Sequence, residues 1–210
     1  MEPPDRNLIG KEPYLTRPSF APQKLKAELL KAFGDPERPA YGQLASMDSE
    51  GAPTVRTVHF HGLPDREILA FSAHTNSPKW RHLAARRRLS GCYFDSIEQV
   101  QYRFSGEADL ISATSAIDPD LISVMWNKIR PDKRTAYWLD AQGKSFTGDL
   151  PPGLSIDRPS PNIGVVVCRP RIWDIYRIHP EEYRKGNRTV FSWTGETWLE
   201  TSRSILGSEQ

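Results

Sequence analysis

Two stretches of this sequence carry residue types suited to holding an anion. The first is Ser77-Pro78-Lys79. Ser77 is a good helix N-cap, and Pro78 fits the first helical position, where its missing N–H costs nothing. A helix starting there presents free backbone N–H groups and the positive end of a dipole. Lys79 adds a full charge in the first turn. The second is Arg56, within the alternating stretch Pro53 to His61. A phosphate suits such a pair, because arginine grips it in a planar fork and lysine meets it as a point charge. Read alone, Ser77-Pro78-Lys79 is also an ordinary helix cap with a solvated lysine, and Arg56 an exposed strand residue.

The surrounding pattern supplies the elements that must position these groups. Pro22 to Phe33 repeats apolar residues at helical spacing and stops at Gly34. Tyr41 to Met47 and Pro53 to His61 read as strands joined by the turn Asp48 to Gly51. On the second strand Val55, Thr57, His59 and His61 share one face, and Arg56, Val58 and Phe60 the other. Glu67 to Ala73 is a third strand, and the Ser77 helix follows. Leu89 to Phe94 and Gln99 to Leu110 are further strands, the latter interrupted at Gly106. A helical stretch spans Asp118 to Leu139, broken at Arg130-Pro131. Gly143 to Asn162 reads as a long loop of the kind that is functional or mobile. Ile163 to Cys168, Ile172 to Ile178, Arg188 to Trp193 and Thr197 to Leu199 close the chain as short strands. Residues 1–20 read as an irregular arm, and 21–210 as a single domain. Many antiparallel strands with a few short helices point to a β-barrel with helical additions.

Composition narrows the function. The 210 residues are 38% hydrophobic and 26% charged, with a net charge of +2, an ordinary balance that demands no polyanionic partner. The run Arg86-Arg87-Arg88 reads as a solvated helix end, so no nucleic acid is expected. No apolar run approaches the roughly 18 residues that span a membrane. No signal-peptide core opens the chain, which makes a cytoplasmic location the default. The two cysteines, Cys92 and Cys168, sit in strand-like apolar runs and read as buried thiols. The five histidines show no metal-ligand spacing.

The order of parts resembles the pyridoxamine 5'-phosphate oxidase superfamily, in its oxidase-like branch. The resemblance runs from about Ala21 to Ser202. It is carried by Leu44-Ala45-Ser46-Met47-Asp48 with Gly51, by Pro53-Thr54-Val55-Arg56-Thr57-Val58, by Phe71 through Ser77-Pro78-Lys79, and by Glu98 through Gly106. It implies a mainly β fold, the FMN-binding split β-barrel, antiparallel and Greek-key-like, with a few peripheral α-helices. It implies a homodimer with FMN in a groove between the subunits. By position, Arg56 and Lys79 match the residues that hold the FMN phosphate, with Ser77 beside them. Thr57, Val58 and His59 match the strand along the flavin, and Ser72 and Ala73 a strand end that touches it. Gln101 and Arg188 match a glutamine and an arginine that contact the ring, and Tyr176 falls near a family tryptophan at its edge. Arg184 matches the arginine that contacts the vitamer substrate.

The same comparison shows where this chain departs from the family. His61 stands where true oxidases carry a phosphate-binding lysine, and Trp126, Arg130 and Arg134 stand where a tyrosine, an arginine and a serine complete that pocket. His61, Trp126, Arg130, Arg134 and Arg184 are therefore the candidate substrate residues, and Arg184 and His61 the candidates for catalysis. The implied activity is FMN-dependent oxidation of a small, possibly phosphorylated amine or alcohol. The alternative is an FMN-binding protein or an NAD(P)H-dependent flavin reductase on the same barrel.

Overall fold

The computed structural model describes residues 23–115, 118–139, 155–182 and 185–203. The arm expected over 1–20, much of the loop expected over 143–162, and Arg184 lie outside the described residues. The elements in chain order are α1 (Gln23–Gly34), β1 (Ala40–Met47), β2 (Pro53–Leu63), β3 (Ile68–His74), α2 (Pro78–Ala85), β4 (Arg88–Asp95), β5 (Val100–Ser112), α3 (Pro119–Lys128), α4 (Pro131–Arg134), β6 (Ile163–Arg177), β7 (Asn187–Trp193) and β8 (Trp198–Arg203). Short 3-10 turns occupy Pro64–Arg66 and Thr135–Tyr137.

All eight strands form one antiparallel sheet in the order β3-β2-β1-β4-β5-β6-β7-β8. A further ladder between β3 and β6, from Leu69↔Cys168 to His74↔Ile163, closes six strands into a barrel. β4 returns to lie beside β1, outside the β1-β2-β3 meander, which is the Greek-key order the sequence led us to expect. Strands β7 and β8 extend the sheet beyond the barrel.

Burial explains why these segments read as they do. β3 begins Ile68-Leu69-Ala70-Phe71, all buried, and β6 is buried without a break from Ile163 to Pro170. Continuous apolar runs of that kind are strands covered on both faces. Leu69, Phe71, Val166, Cys168 and Trp173 point into the barrel core, where α1 plugs one end with Leu25, Leu29 and Phe33. The Phe33 ring lies 5.3–6.2 Å from those of Tyr93, Tyr102, Trp173 and Phe60. The opposite face of β3 and β6 carries Ile68, Ala70, Val165 and Val167, and α3 covers it with Leu121, Ile122, Met125 and Trp126. No helix among the described residues is long and apolar enough to cross a membrane.

Two expectations change. The sequence suggests separate strands either side of Arg169-Pro170-Arg171, yet β6 runs through them. Pro170 has no N–H to give, but β6 bulges beside it: Ser105 and Gly106 of β5 pair with Ile172 and Pro170, and Arg171 is the extra residue. Gly106 is required at that point, because a Cβ would run into the Arg169 carbonyl. The helical stretch over 118–139 is broken at Arg130-Pro131 as expected, but beyond the break lie only the single turn of α4 and a 3-10 turn.

The start of α2 is locked to the barrel by a second glycine. Ser77 caps the helix, its hydroxyl accepting from the Trp80 N–H at 3.4 Å. The Trp80 indole lies over Gly164 of β6, where a Cβ would collide with the ring. Gly164→Ala is expected to cost about 1–3 kcal/mol through overpacking. The check is a lower urea midpoint with unchanged slope, and a matching loss of anion affinity at the α2 start.

Candidate functional site

A cleft of about 900 Å3 lies on the outer face of β2 and β3. Its floor carries Thr57, Val58, His59 and His61 from β2, with Ser72, Ala73 and His74 from β3. One wall is the segment from Lys128 to Tyr137, the other Pro36, Pro39 and Tyr41, and Lys79 stands at one end. The pleat accounts for the floor, because His59 and His61 alternate with Val58 and Phe60, which belong to the barrel core. Of the residues expected beside the flavin, Thr57, His59 and Ser72 face the cleft, whereas Val58 and Ala73 line it while their side chains belong to the barrel core.

Arg56 and Lys79 lie near one another at the Ser77-capped start of α2. Arg56 is half-buried at the end of β2, and its guanidinium donates to Ser46 Oγ at 2.7 Å, Thr54 Oγ1 at 2.6 Å and the Leu44 carbonyl at 3.4 Å. His82 Nδ1 lies 3.3 Å from Thr54 Oγ1 and 3.5 Å from Ser46 Oγ, tying α2 to the same cluster. Burial lowers the pKa of Arg56; burial first, then the charge of Arg56, lowers that of Lys79. No acidic side chain among the described residues pairs with either cation. Two partly desolvated like charges at a capped helix start are costly without an anion between them.

The middle of the cleft is aromatic and neutral. Tyr41 sits opposite His59 in the β1–β2 register, with ring centroids 4.7 Å apart, and the His59 ring lies 3.9 Å from that of His61. Burial, then the charges of Lys133 and Lys128, lowers the pKa of His59. Burial, then His59 and Lys128, pushes that of His61 down to about 3. His61 is thus uncharged at neutral pH and does not replace the cation of a lysine. On the β3 side the Tyr137 hydroxyl donates to Ser72 Oγ at 2.9 Å. His74 accepts the Asn76 N–H at Nδ1, which leaves Nε2 to donate to the Leu139 carbonyl at 2.8 Å.

The remaining candidates do not converge there. Trp126 is sunk in the α3 core, 1% exposed, with its indole N–H donating to the Ile156 carbonyl at 3.0 Å. Arg134 is occupied by backbone carbonyls, those of Ile129 at 3.0 Å, Ile156 at 3.3 Å and Asn127 at 3.5 Å, and lies against Trp126. Arg130 reaches the rim but forks onto Asp132 at 2.9 and 3.0 Å. Gln101 and Arg188 lie across the sheet, in one row with Tyr176: Gln101↔Tyr176 and Tyr176↔Arg188. They line no part of this cleft within one chain.

Sequence reasoning missed Tyr41, Tyr137, Lys128 and Lys133. Tyr41 was reachable, because the Asp48 turn fixes the hairpin register and so places it opposite His59. The other three depend on how the segment after α3 folds back, which no local pattern encodes.

His61 makes a checkable contribution to stability. Its folded pKa lies below the ordinary 6.5, so the unfolded chain takes up the proton first as pH falls. The stability that comes from keeping it neutral is complete above about pH 6.5 and erodes towards pH 3. Urea unfolding of the wild type is expected to show falling stability from pH 7 to pH 4.5, and His61→Gln a shallower fall. Parallel pH curves for the two proteins would refute it.

Comparisons with known proteins bear on family and fold. A sequence model described as pyridoxamine 5'-phosphate oxidase matches residues 27–145, more than half of the chain. The pyridoxine/pyridoxamine 5'-phosphate oxidase of Anaeromyxobacter dehalogenans (strain 2CP-C) is 26% identical over 195 residues, covering 86% of this chain and 94% of that protein. The enzyme of the same name from Rhizobium etli (strain CIAT 652) is 25% identical over 165 residues, 77% of each chain. Among solved structures, a pyridoxamine 5'-phosphate oxidase-related, FMN binding protein from Nostoc punctiforme PCC 73102 superposes with a TM-score of 0.72 at 24% identity, covering 88% of this chain and 97% of that one. PhzG from Burkholderia lata 383, in complex with tetrahydrophenazine-1-carboxylic acid, gives 0.64 at 19% identity, covering 93% and 98%. Both structural likenesses bear on the fold, the mainly β split barrel. With the family model matched over strands that build the cleft, the chain belongs to the pyridoxamine 5'-phosphate oxidase family.

Proposed function

We propose that this chain is an FMN-dependent oxidoreductase that takes a hydride from a small organic amine or alcohol. The observation that carries the reading is the half-buried pair Arg56 and Lys79, which has no carboxylate partner among the described residues and stands at the Ser77-capped start of α2. A phosphate monoester is nearly dianionic and matches that deficit. Arg56 is already oriented by Ser46 and Thr54, so little rotamer freedom remains to be lost on binding. Thr57, Val58, His59, Ser72 and Ala73 are the residues that would hold the flavin body. When bound, FMN supplies a two-electron hydride acceptor. Neutral His59 and His61 offer hydrogen-bonding ring edges without competing for the phosphate, and the wall from Lys128 to Tyr137 excludes water from that side. FMN-binding in the Nostoc protein supports the same reading.

A second copy of the chain completes the site in this proposal. Tyr41, Val55, Phe94 and Ile172 are 41–65% exposed, and all lie on the outer face that runs from β2 across β1, β4 and β5 to β6. Four large apolar residues on one sheet face favour a protein partner, and the family resemblance implies a homodimer. The row Gln101, Tyr176 and Arg188 sits at the edge of that face, available to a partner's cleft. Val55→Asp with Ile172→Asp is expected to yield monomers by light scattering, with FMN affinity lost alongside.

The substrate half favours a substrate other than pyridoxamine phosphate, because His61 is neutral, Trp126 is buried and Arg134 is bound to carbonyls. That also keeps in view a flavin reductase fed by NAD(P)H. Titration with FMN is expected to quench its fluorescence and give a yellow protein. Lys79→Met and Arg56→Met should each weaken binding about 10- to 100-fold, the worth of one charged hydrogen bond. A wild type that binds no FMN sinks the proposal. Anaerobic reduction of the bound flavin by pyridoxamine phosphate, by unphosphorylated amines and alcohols, or only by NAD(P)H then separates the readings.

A further inference from the structure

The carboxylate of Asp174 is where three strands meet electrostatically. On β6 it lies directly opposite Arg103 of β5 and diagonal to Arg188 of β7, which pairs with Tyr176. Arg188 donates to it in a fork, Nε to Oδ1 at 2.8 Å and Nη2 to Oδ2 at 2.7 Å. Arg103 donates through Nη2 to Oδ2 as well. The Asp174 side chain is only 12% exposed, against 34% for Arg188 and 44% for Arg103. Burial alone would raise its pKa, but the bonds from Arg188 and Arg103 outweigh that and hold it below the usual carboxylate range. The fork fixes the plane of the Arg188 guanidinium and turns its Nη1 edge away from Asp174, leaving that edge unpaired among the described residues. Gln101, in the same cross-strand row, also has a side-chain amide without a hydrogen-bond partner among the described residues.

An arginine–carboxylate pair alone is neutral and would present little field. Arg103 changes that, because the trio carries one net positive charge. We propose that Asp174 is a positioning residue that holds Arg188 in place for the flavin bound in a partner's cleft, and that Arg103 keeps the assembly cationic. The inference rests on the FMN reading above and extends it to two residues the family resemblance did not assign. Asp174 fixes direction, Arg103 supplies charge, and Arg188 makes the contact. A cation held there stabilises the negative charge that a flavin gains on accepting hydride.

A double-mutant cycle on the full-length FMN-loaded protein tests this. Asp174→Asn and Arg188→Gln are each expected to raise the FMN dissociation constant about tenfold, and the double variant no further, since both remove one contact. Asp174→Glu, which keeps the carboxylate, should recover most of the loss. Arg103→Gln leaves the fork intact, so FMN affinity and melting temperature should hold while the flavin reduction potential moves negative. Additive losses in the cycle, or wild-type affinity in Asp174→Asn, would overturn the role of Asp174. An unchanged potential in Arg103→Gln would overturn that of Arg103, and this arm stands even if Asp174→Asn does not fold. Failure of the wild type to bind FMN defeats the functional reading and this one together. Normal FMN binding with a flat cycle defeats only this one.

Discussion

The ladder between β3 and β6 is the constraint on which the site depends. Without it the sheet would be open, and the outer faces of both strands would have no reason to be covered. Closure forces Leu69, Phe71, Val166 and Cys168 inward and turns Ile68, Ala70, Val165 and Val167 outward, where α3 must meet them. The same ladder carries Ser72 and His74 to the cleft floor and ends β3 where Ser77 can cap α2. Cleft floor and helix cap therefore share one set of backbone hydrogen bonds.

Much of this was legible in the sequence, and the reasons differ by element. The alternation in β2 survives as written, because the strand is covered by the core on one face only. The cap at Ser77 is a local rule that tertiary packing did not override. The continuity of β6 was not legible, since Pro170 is a strand breaker unless a bulge accompanies it, and the bulge is a property of the pair. Trp126 and Arg134 illustrate the other limit. Positional likeness placed them in a pocket, but a tryptophan on the buried face of α3 gains more from packing than from facing water. Its indole N–H and the Arg134 guanidinium then share the carbonyl of Ile156.

The two ends of the cleft use opposite electrostatic devices. At the α2 end, cations are held partly dry and without counter-charge among the described residues. In the middle, imidazoles are held dry and uncharged beside one another. Both states come from burial, and what differs is whether the side chain can shed its proton. Arginine does not, lysine does so reluctantly, and histidine does so readily. One shell of apolar residues thus produces a charged patch and a neutral patch in a single groove.

The single carbonyl of Ile156 receives both Trp126 and Arg134, so the cleft wall has a fastening of its own besides the bonds from Tyr137 to Ser72 and from His74 to Leu139 that tie it to β3. Strands fix the floor of the cleft, whereas the short segment after α3 shapes its wall. Such a division lets substitutions in the wall reshape the mouth of the cleft while the strands beneath stay unchanged.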